Sequence, residues 1–405
     1  MLTHDAQALQ RLDRCWGEHI DSGHIVGGVL LLAHEGEVLY ASARGWADRE
    51  ASLAMARDTR FRLASLTKLF TSVVALRLCE LGLLGLQQPV TDWLAGFRPR
   101  RADGHEATII LHQLLSHTSG LSYGFEQAPG NAYQQAGVSD GLDDSPLTLE
   151  DNLQRLGHVP LRFEPGSAWG YSLATDVLGA VIEKASGLSL AQAIARWVTA
   201  PLQMIATGFV DDPARPLARP YKDAPGAPQL IADHDSLWLD SGLAHLSARR
   251  AHRPRAWASG GAGLLGTADD YLRLLECLRQ GGAPLLEPAS TAALLGNALG
   301  NLSMASRGPG WGFGLGPAVL TDPVAARQVQ GRGTWGWCGL YGCHYWVDPQ
   351  AGLSLVVMTN TAVAGAWGAL ADGIVSAVYS GPGLVYSVNE SIAPQAVEMD
   401  KSMGH

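Results

Sequence analysis

Two strand–turn–strand patterns near opposite ends of the chain constrain its fold more than any other feature. "GGVLLLAHEGEVLYASARG" (27–45) places apolar runs on either side of the turn "HEGE", and "HYWVDPQAGLSLVVMTNTA" (344–362) repeats the arrangement. Both read as β-hairpins. The stretch between them is different in character. A long apolar helix is predicted from about Ser65 to Leu84, ending in the glycines of "LGLLG". From about 90 to 255, short helical patterns ("LHQLLSH", "LEDNLQRLG", "ATDVLGAVIEKASG", "LAQAIARWV") alternate with Gly/Pro loops, and the proline-rich 211–228 is expected to be irregular. A closing helix is expected in "WGALADGIVSAVY". Strands at both ends and helices in the middle imply one sheet built from N- and C-terminal segments, with a helical insertion. The expected domains are 1–90 together with 256–385, and a mostly helical 91–255. Residues 386–405 are expected to form a flexible tail.

Composition excludes several classes of function. The 405 residues are 47% hydrophobic and 17% charged, as in ordinary globular chains. A net charge of −9 with no long basic run argues against binding nucleic acid through its phosphates. The longest basic cluster, "ARRAHRPR" (248–255), reads most simply as a solvated loop, the alternative being a role in attracting an anionic substrate. The opening residues carry acids and a helical stripe of Leu9, Leu12, Trp16 and Ile20, unlike a signal peptide. No stretch of about 18 apolar residues is free of charge, so no membrane span is expected. Five scattered cysteines without CxxC spacing suit a reducing, cytoplasmic setting. No histidine lies in a recognisable metal-ligand spacing, G-x-S-x-G is absent, and "ADHDS" (232–236) reads as a loop with capping aspartates.

Chemistry enters with "FRLASLTKLF" (61–70). The chain has only four lysines, yet Lys68 falls among Leu66, Leu69, Phe70, Val73 and Val74. Ser65 precedes it by three residues, so on a helix the two side chains share a face. The first turn of a helix also favours developing negative charge. Burial disfavours the charged form of lysine and lowers its pKa from about 10.4, and a neutral amine beside a hydroxyl activates it as a nucleophile. Arginine cannot do this, because guanidinium stays protonated. Alone, so short a motif carries little weight; a snorkelling lysine at the helix edge explains it equally well.

The order of motifs decides the matter. "FRLASLTK", "LHQLLSHTSGL" (111–121), "FEPGSAWGYS" (163–172), "SGGAGLLGTADD" (259–270), "GPGWGFGLG" (308–316) and "WCGLYGCHYWVD" (337–348) follow one another along the chain. They resemble the successive signatures of the serine β-lactamase and penicillin-binding-protein superfamily, and within it most closely the family VIII carboxylesterases, over roughly residues 10–380. The resemblance implies an α/β (α+β) fold of the β-lactamase/transpeptidase type. Its central antiparallel sheet is flanked by helices, and the active site lies between the sheet and a mostly helical domain.

By the same resemblance Ser65 matches the acylated nucleophile, Lys68 its helical partner and Tyr171 the proton shuttle; whether Lys68 or Tyr171 is the formal base stays open. His117 belongs to a structural turn. The third motif, normally K-T-G, matches Trp337-Cys338-Gly339, a register chosen over the one beginning at Trp335 because it puts glycine third. The backbone N–H groups of Ser65 and Leu340 would form the oxyanion hole. Leu173 stands where an asparagine is usual, and Trp337 stands where a lysine would grip a β-lactam or peptide carboxylate. Trp337, Gly339, Tyr123, Tyr133, Trp169, Leu173, Trp257, Trp311 and Tyr341 are the candidate substrate-binding residues. The expected activity is hydrolysis of neutral, small or hydrophobic carboxylic esters through a Ser65 acyl-enzyme, with at most weak β-lactamase activity, no cofactor and no metal. The alternatives are acyl transfer or amide formation from the same intermediate, then a D-stereospecific amidase or peptidase or a β-lactamase, and last a non-catalytic binding protein.

Overall fold

The computed structural model describes residues 6–380; the tail expected at 386–405 lies outside them. The N-terminal hairpin forms as read. Strand β1 (Gly27–His34) and β2 (Glu37–Asp48) meet through Glu35 and Gly36, both at positive φ (48° and 89°), as a two-residue hairpin turn requires. A short β3 (Leu53–Ala54) closes that edge. The other five strands of the sheet come from the end of the chain: β4 (Trp311–Phe313), β5 (Ala318–Leu320), β6 (Trp335–Gly339), β7 (Cys343–Asp348) and β8 (Leu353–Thr359). The strand order is β4-β5-β6-β7-β8-β1-β2-β3, antiparallel throughout, so β1 joins the two ends of the chain by pairing with β8.

The unbroken apolar run in β1 follows from covering both faces of the sheet. Successive side chains point to opposite faces. Val29, Leu31 and Ala33 enter one core; Leu30 and Leu32 enter the other. The second core is closed by α1 (Ala6–Asp21) and the closing helix, through Leu12, Trp16, Leu370 and Ile374. The first and larger core takes in the central helix α2 (Thr67–Glu80), α3 (Ala174–Ser186) and α4 (Ala268–Arg279). From Thr67 to Leu76 every residue of α2 is buried, which is why the helix is apolar on all sides. The last helix in this numbering is α5 (Ala369–Tyr379).

Three local expectations need correction. The helix expected over 65–84 is shorter: a 3-10 turn, Ala64–Leu66, carries Ser65, and Gly82 at φ 71° lies beyond the helix end. The proline-rich 211–228 contains a two-residue strand, Tyr221–Lys222, paired with Thr361–Ala362 and Gln229–Leu230 and anchored by the buried Tyr221. The basic cluster at 248–255 is not simply solvated. Its Arg250 lies over the Trp257 ring at 4.9 Å and donates to the Trp257 carbonyl, because a guanidinium can stack on an indole and still satisfy its donors.

Candidate active site

The turn bearing Ser65 is held from three sides. Phe61–Arg62 pairs with Leu265–Gly266, the Leu63 N–H donates to the Leu264 carbonyl, and the Tyr271 hydroxyl donates to the Leu66 carbonyl. Ala64, just before the serine, is driven to φ 45°, a left-handed conformation that a non-glycine residue adopts only under constraint. The tight turn leaves Ser65 partly exposed at the start of α2 while Ala64, Leu66 and Thr67 are buried.

One helical turn on, Lys68 is 2% exposed, and its Nζ lies 3.3 Å from Ser65 Oγ. The amine donates to the Gly261 carbonyl at 2.8 Å. Burial pulls the Lys68 pKa down to about 7, opposed by the Asp176 charge. Asp176, in the first turn of α3, is itself buried. Its Oδ1 accepts from the Ser259 hydroxyl (2.7 Å) and the Gly261 N–H (3.3 Å), and Oδ2 has no hydrogen-bond partner among the described residues. Gly261 is the spacer: a Cβ there would stand 2.7 Å from Asp176 Oδ2 and 2.9 Å from the Tyr123 hydroxyl.

Tyr171 faces the serine from the segment entering α3. Its hydroxyl donates to Ser65 Oγ at 2.6 Å, and burial pushes the phenol well above its usual range. Lys68 Nζ lies 4.6 Å from the centre of the same ring. The Trp337 indole N–H donates to the Tyr171 oxygen at 3.3 Å. Of the two registers open to the third motif, Trp337 is the residue beside Tyr171; Trp335 is buried against Tyr345. At the end of β6, a Cβ on Gly339 would lie 2.3 Å from the Leu63 carbonyl, so only glycine lets this strand approach the nucleophile turn. Leu340 follows directly. His117, buried and kept neutral by desolvation, packs on Tyr171 at 5.0 Å and bonds the neighbouring Ser172 hydroxyl.

The other expected substrate-binding residues divide. Tyr123 (ring 5.1 Å from Tyr171) and Trp169 (6.4 Å, stacked) belong to the same aromatic cluster. Trp311 lines a groove of about 530 Å³ that also touches Trp337. Tyr133 does not join them as a free hydroxyl: its oxygen accepts the Ser122 N–H at 2.8 Å. Leu173 is fully buried at the start of α3. Trp257 and Tyr341 face a separate cavity of about 30 Å³ shared with Arg62 and Arg250. The sequence reading missed Asp176, Ser259 and Phe313, which packs edge-on to Trp337 at 5.2 Å. An acid inside the apolar "ATDVLGAVIEK" was the available signal for Asp176, the same kind of oddity that marks Lys68.

A hydroxyl flanked by a desolvated amine and a phenol can be deprotonated and acylated, and the fold sets it between a helix start and a sheet edge. That combination defines a serine hydrolase of the penicillin-recognising type. The chain belongs to the Beta-lactamase family, whose model matches residues 12–378. It is 44% identical over 380 residues to Esterase EstB of Burkholderia gladioli, covering 93% of this chain and 96% of that protein. The solved structure of EstCE1, described as a hydrolase with promiscuous acyltransferase activity, matches with a TM-score of 0.90 and 43% identity over 93% of this chain and 99% of that chain. Lovastatin esterase of Penicillium rubens is 29% identical over 333 residues, 77% of this chain and 79% of that protein.

Proposed function

We propose that the protein is a serine carboxylesterase that hydrolyses carboxylic esters through an acyl-enzyme on Ser65. The observation that carries this reading is the position of Ser65 Oγ, 2.6 Å from the Tyr171 oxygen and 3.3 Å from Lys68 Nζ. Ser65 Oγ attacks the ester carbonyl, and its proton passes to neutral Lys68, which a pKa of about 7 makes available near neutral pH. The N–H groups of Ser65 and Leu340 hold the oxyanion; each such donor typically contributes about 2.7–4 kcal/mol. As the tetrahedral adduct collapses, the C–O bond breaks and Tyr171 gives its proton to the departing alkoxide, regaining one from Lys68. Water then repeats the attack on the acyl-enzyme with the proton transfers reversed, releasing the acid and restoring Ser65.

Tryptophan at 337 in place of a lysine supports esters over β-lactams and D-Ala-D-Ala peptides. Those substrates carry a carboxylate close to the scissile bond, and a lost charge-assisted hydrogen bond there sacrifices about 1.5–3 kcal/mol. Neutral, hydrophobic esters suit the aromatic surroundings of Trp169 and Trp337. We read the chain as two lobes, 1–90 with 256–385 and 91–255, with the cleft between them. No single helix among the described residues is long and apolar enough to cross a membrane, and the five cysteines are free, which fits a cytoplasmic enzyme. A second reading, transfer of the acyl group to an alcohol or amine, draws support from the acyltransferase activity named for EstCE1.

The test offers p-nitrophenyl acetate and butyrate to the wild type and to Ser65→Ala. Turnover by the wild type, abolished in the variant, is expected, with nitrocefin turned over far more slowly. A wild type that neither turns over nor is acylated by either ester removes the esterase reading. Added alcohols or amines that divert product from acid to new ester or amide identify a transacylase.

A further inference from the structure

Arg307 lies at the mouth of the groove beside Trp337; the charge of Asp372 acts on it, but no ion pair joins the two. Its guanidinium lies 4.8 Å from the centre of the Trp311 ring and 5.5 Å from that of Trp337. The residue is exposed as a whole, yet its guanidinium is crowded enough for burial to lower its pKa, and among the described residues no hydrogen bond or ion pair uses its five donors. Two tryptophan faces therefore hold a cation in place while leaving its N–H fork free, which is the form in which arginine recognises a carboxylate. Trp346 and Gln330 also line the groove. Trp346 Nε1 and Gln330 Nε2 are buried and unbonded, on residues only 7% and 5% exposed.

Trp337 stands between the groove and the reaction centre: it lines the groove and donates its indole N–H to Tyr171. It opens where β6 has lost its neighbour. Strand β5 pairs with β6 only at Trp335 and Gly336, so Trp337 to Gly339 have no partner on that side. The family's lysine is missing from position 337, but a cation returns one indole ring further out, carried by a different segment. We propose that Arg307 grips a second carboxylate on the substrate, so that half-esters of dicarboxylic acids are substrates of this site alongside neutral esters. The inference rests on the esterase reading. With the cation one ring further out, the site suits a carboxylate on a flexible tether better than that of a β-lactam, which is fixed close to its scissile amide.

The experiment compares monomethyl succinate, adipate, suberate and sebacate with neutral methyl esters of matching chain length, following acid release in a pH-stat. For the half-esters, kcat/KM is expected to peak at one of the longer tethers and to fall about tenfold or more in Arg307→Met, mainly through KM. The neutral methyl esters are expected to stay within about twofold of wild type, which a collapse of Trp337 would not permit. Arg307→Lys is expected to keep part of the discrimination. Asp372, which also faces the groove, forms no ion pair with Arg307, and Asp372→Asn is expected to lower KM for the half-esters. Tryptophan fluorescence titrated with suberate supplies a readout free of catalysis: a saturable change in wild type, lost in Arg307→Met. A half-ester to neutral-ester ratio unchanged by Arg307→Met, or the absence of saturable suberate binding, overturns the proposal. If no ester at all is hydrolysed, the esterase reading fails and the suberate titration alone decides the site.

Discussion

Asp176 shows how one residue tunes another without touching the substrate. Its carboxylate lies beside Lys68 across Gly261, and its charge works against the burial that lowers the lysine pKa. Asp176→Asn keeps an acceptor for Ser259 and Gly261 but removes the charge, so Lys68 becomes easier to deprotonate. The ascending limb of the kcat/KM profile, expected near the Lys68 pKa of about 7, should move to lower pH by about one unit or more. Rates of p-nitrophenyl butyrate hydrolysis from about pH 5 to about pH 9 measure it; a limb that stays put or moves to higher pH contradicts the coupling. That Ser65, Lys68 and Tyr171 come together was legible in the sequence, because the chemistry proposed for them restricts the residue type. The destinations of the tyrosine hydroxyls could not. Tyr133 spends its oxygen on Ser122, and Tyr341 donates to the Ser247 carbonyl, away from the serine. Such choices depend on partners distant in sequence, and no periodicity records them.

At the scale of elements, the site depends on a close approach between β6 and the turn before α2. The turn would be easier to form with glycine at position 64, but Ala64 is held at positive φ by the Leu264 and Leu265 contacts behind it. The strand supplies the matching glycine. Gly339→Ala would put a methyl 2.3 Å from a backbone carbonyl that has nowhere to retreat, so β6 must move off the serine. The expected result is a loss of about a hundredfold in kcat, as for an ångström-scale misplacement, with KM and melting temperature changed far less. Single-turnover kinetics with p-nitrophenyl acetate locate the defect: slow acylation is expected, and a normal acylation burst would contradict the argument. The hairpins and most helices were legible because sheet and helix periods differ. The 3-10 turn at Ala64–Leu66 was not, since "ASLTK" continues the helical pattern without a break.

For the whole molecule, the cleft requires an amine in the main core, and the fold bears the cost. The ordering of motifs made the architecture legible, because a sheet built from both chain ends must bring 61–68 and 337–340 together. The substrate was less legible, since it depends on residues such as Arg307 whose loop carries no pattern. The cost of Lys68 can be measured. With its pKa reduced from about 10.4 in an unfolded chain to about 7, the folded state is penalised by on the order of 4 kcal/mol wherever both states are protonated. Below about pH 7 the penalty is fully present. As pH rises from about 7 towards about 10.4, the folded protein loses the proton first, the unfolded chain holds more protons, and stability increases. Lys68→Met removes both the penalty and the activity. The variant should melt several degrees above wild type at about pH 6, and the gap should narrow steadily by about pH 9.5. Thermal unfolding at the two pH values checks this. A variant less stable than wild type at pH 6, or an offset that does not change with pH, would show that Lys68 is not held as a desolvated amine.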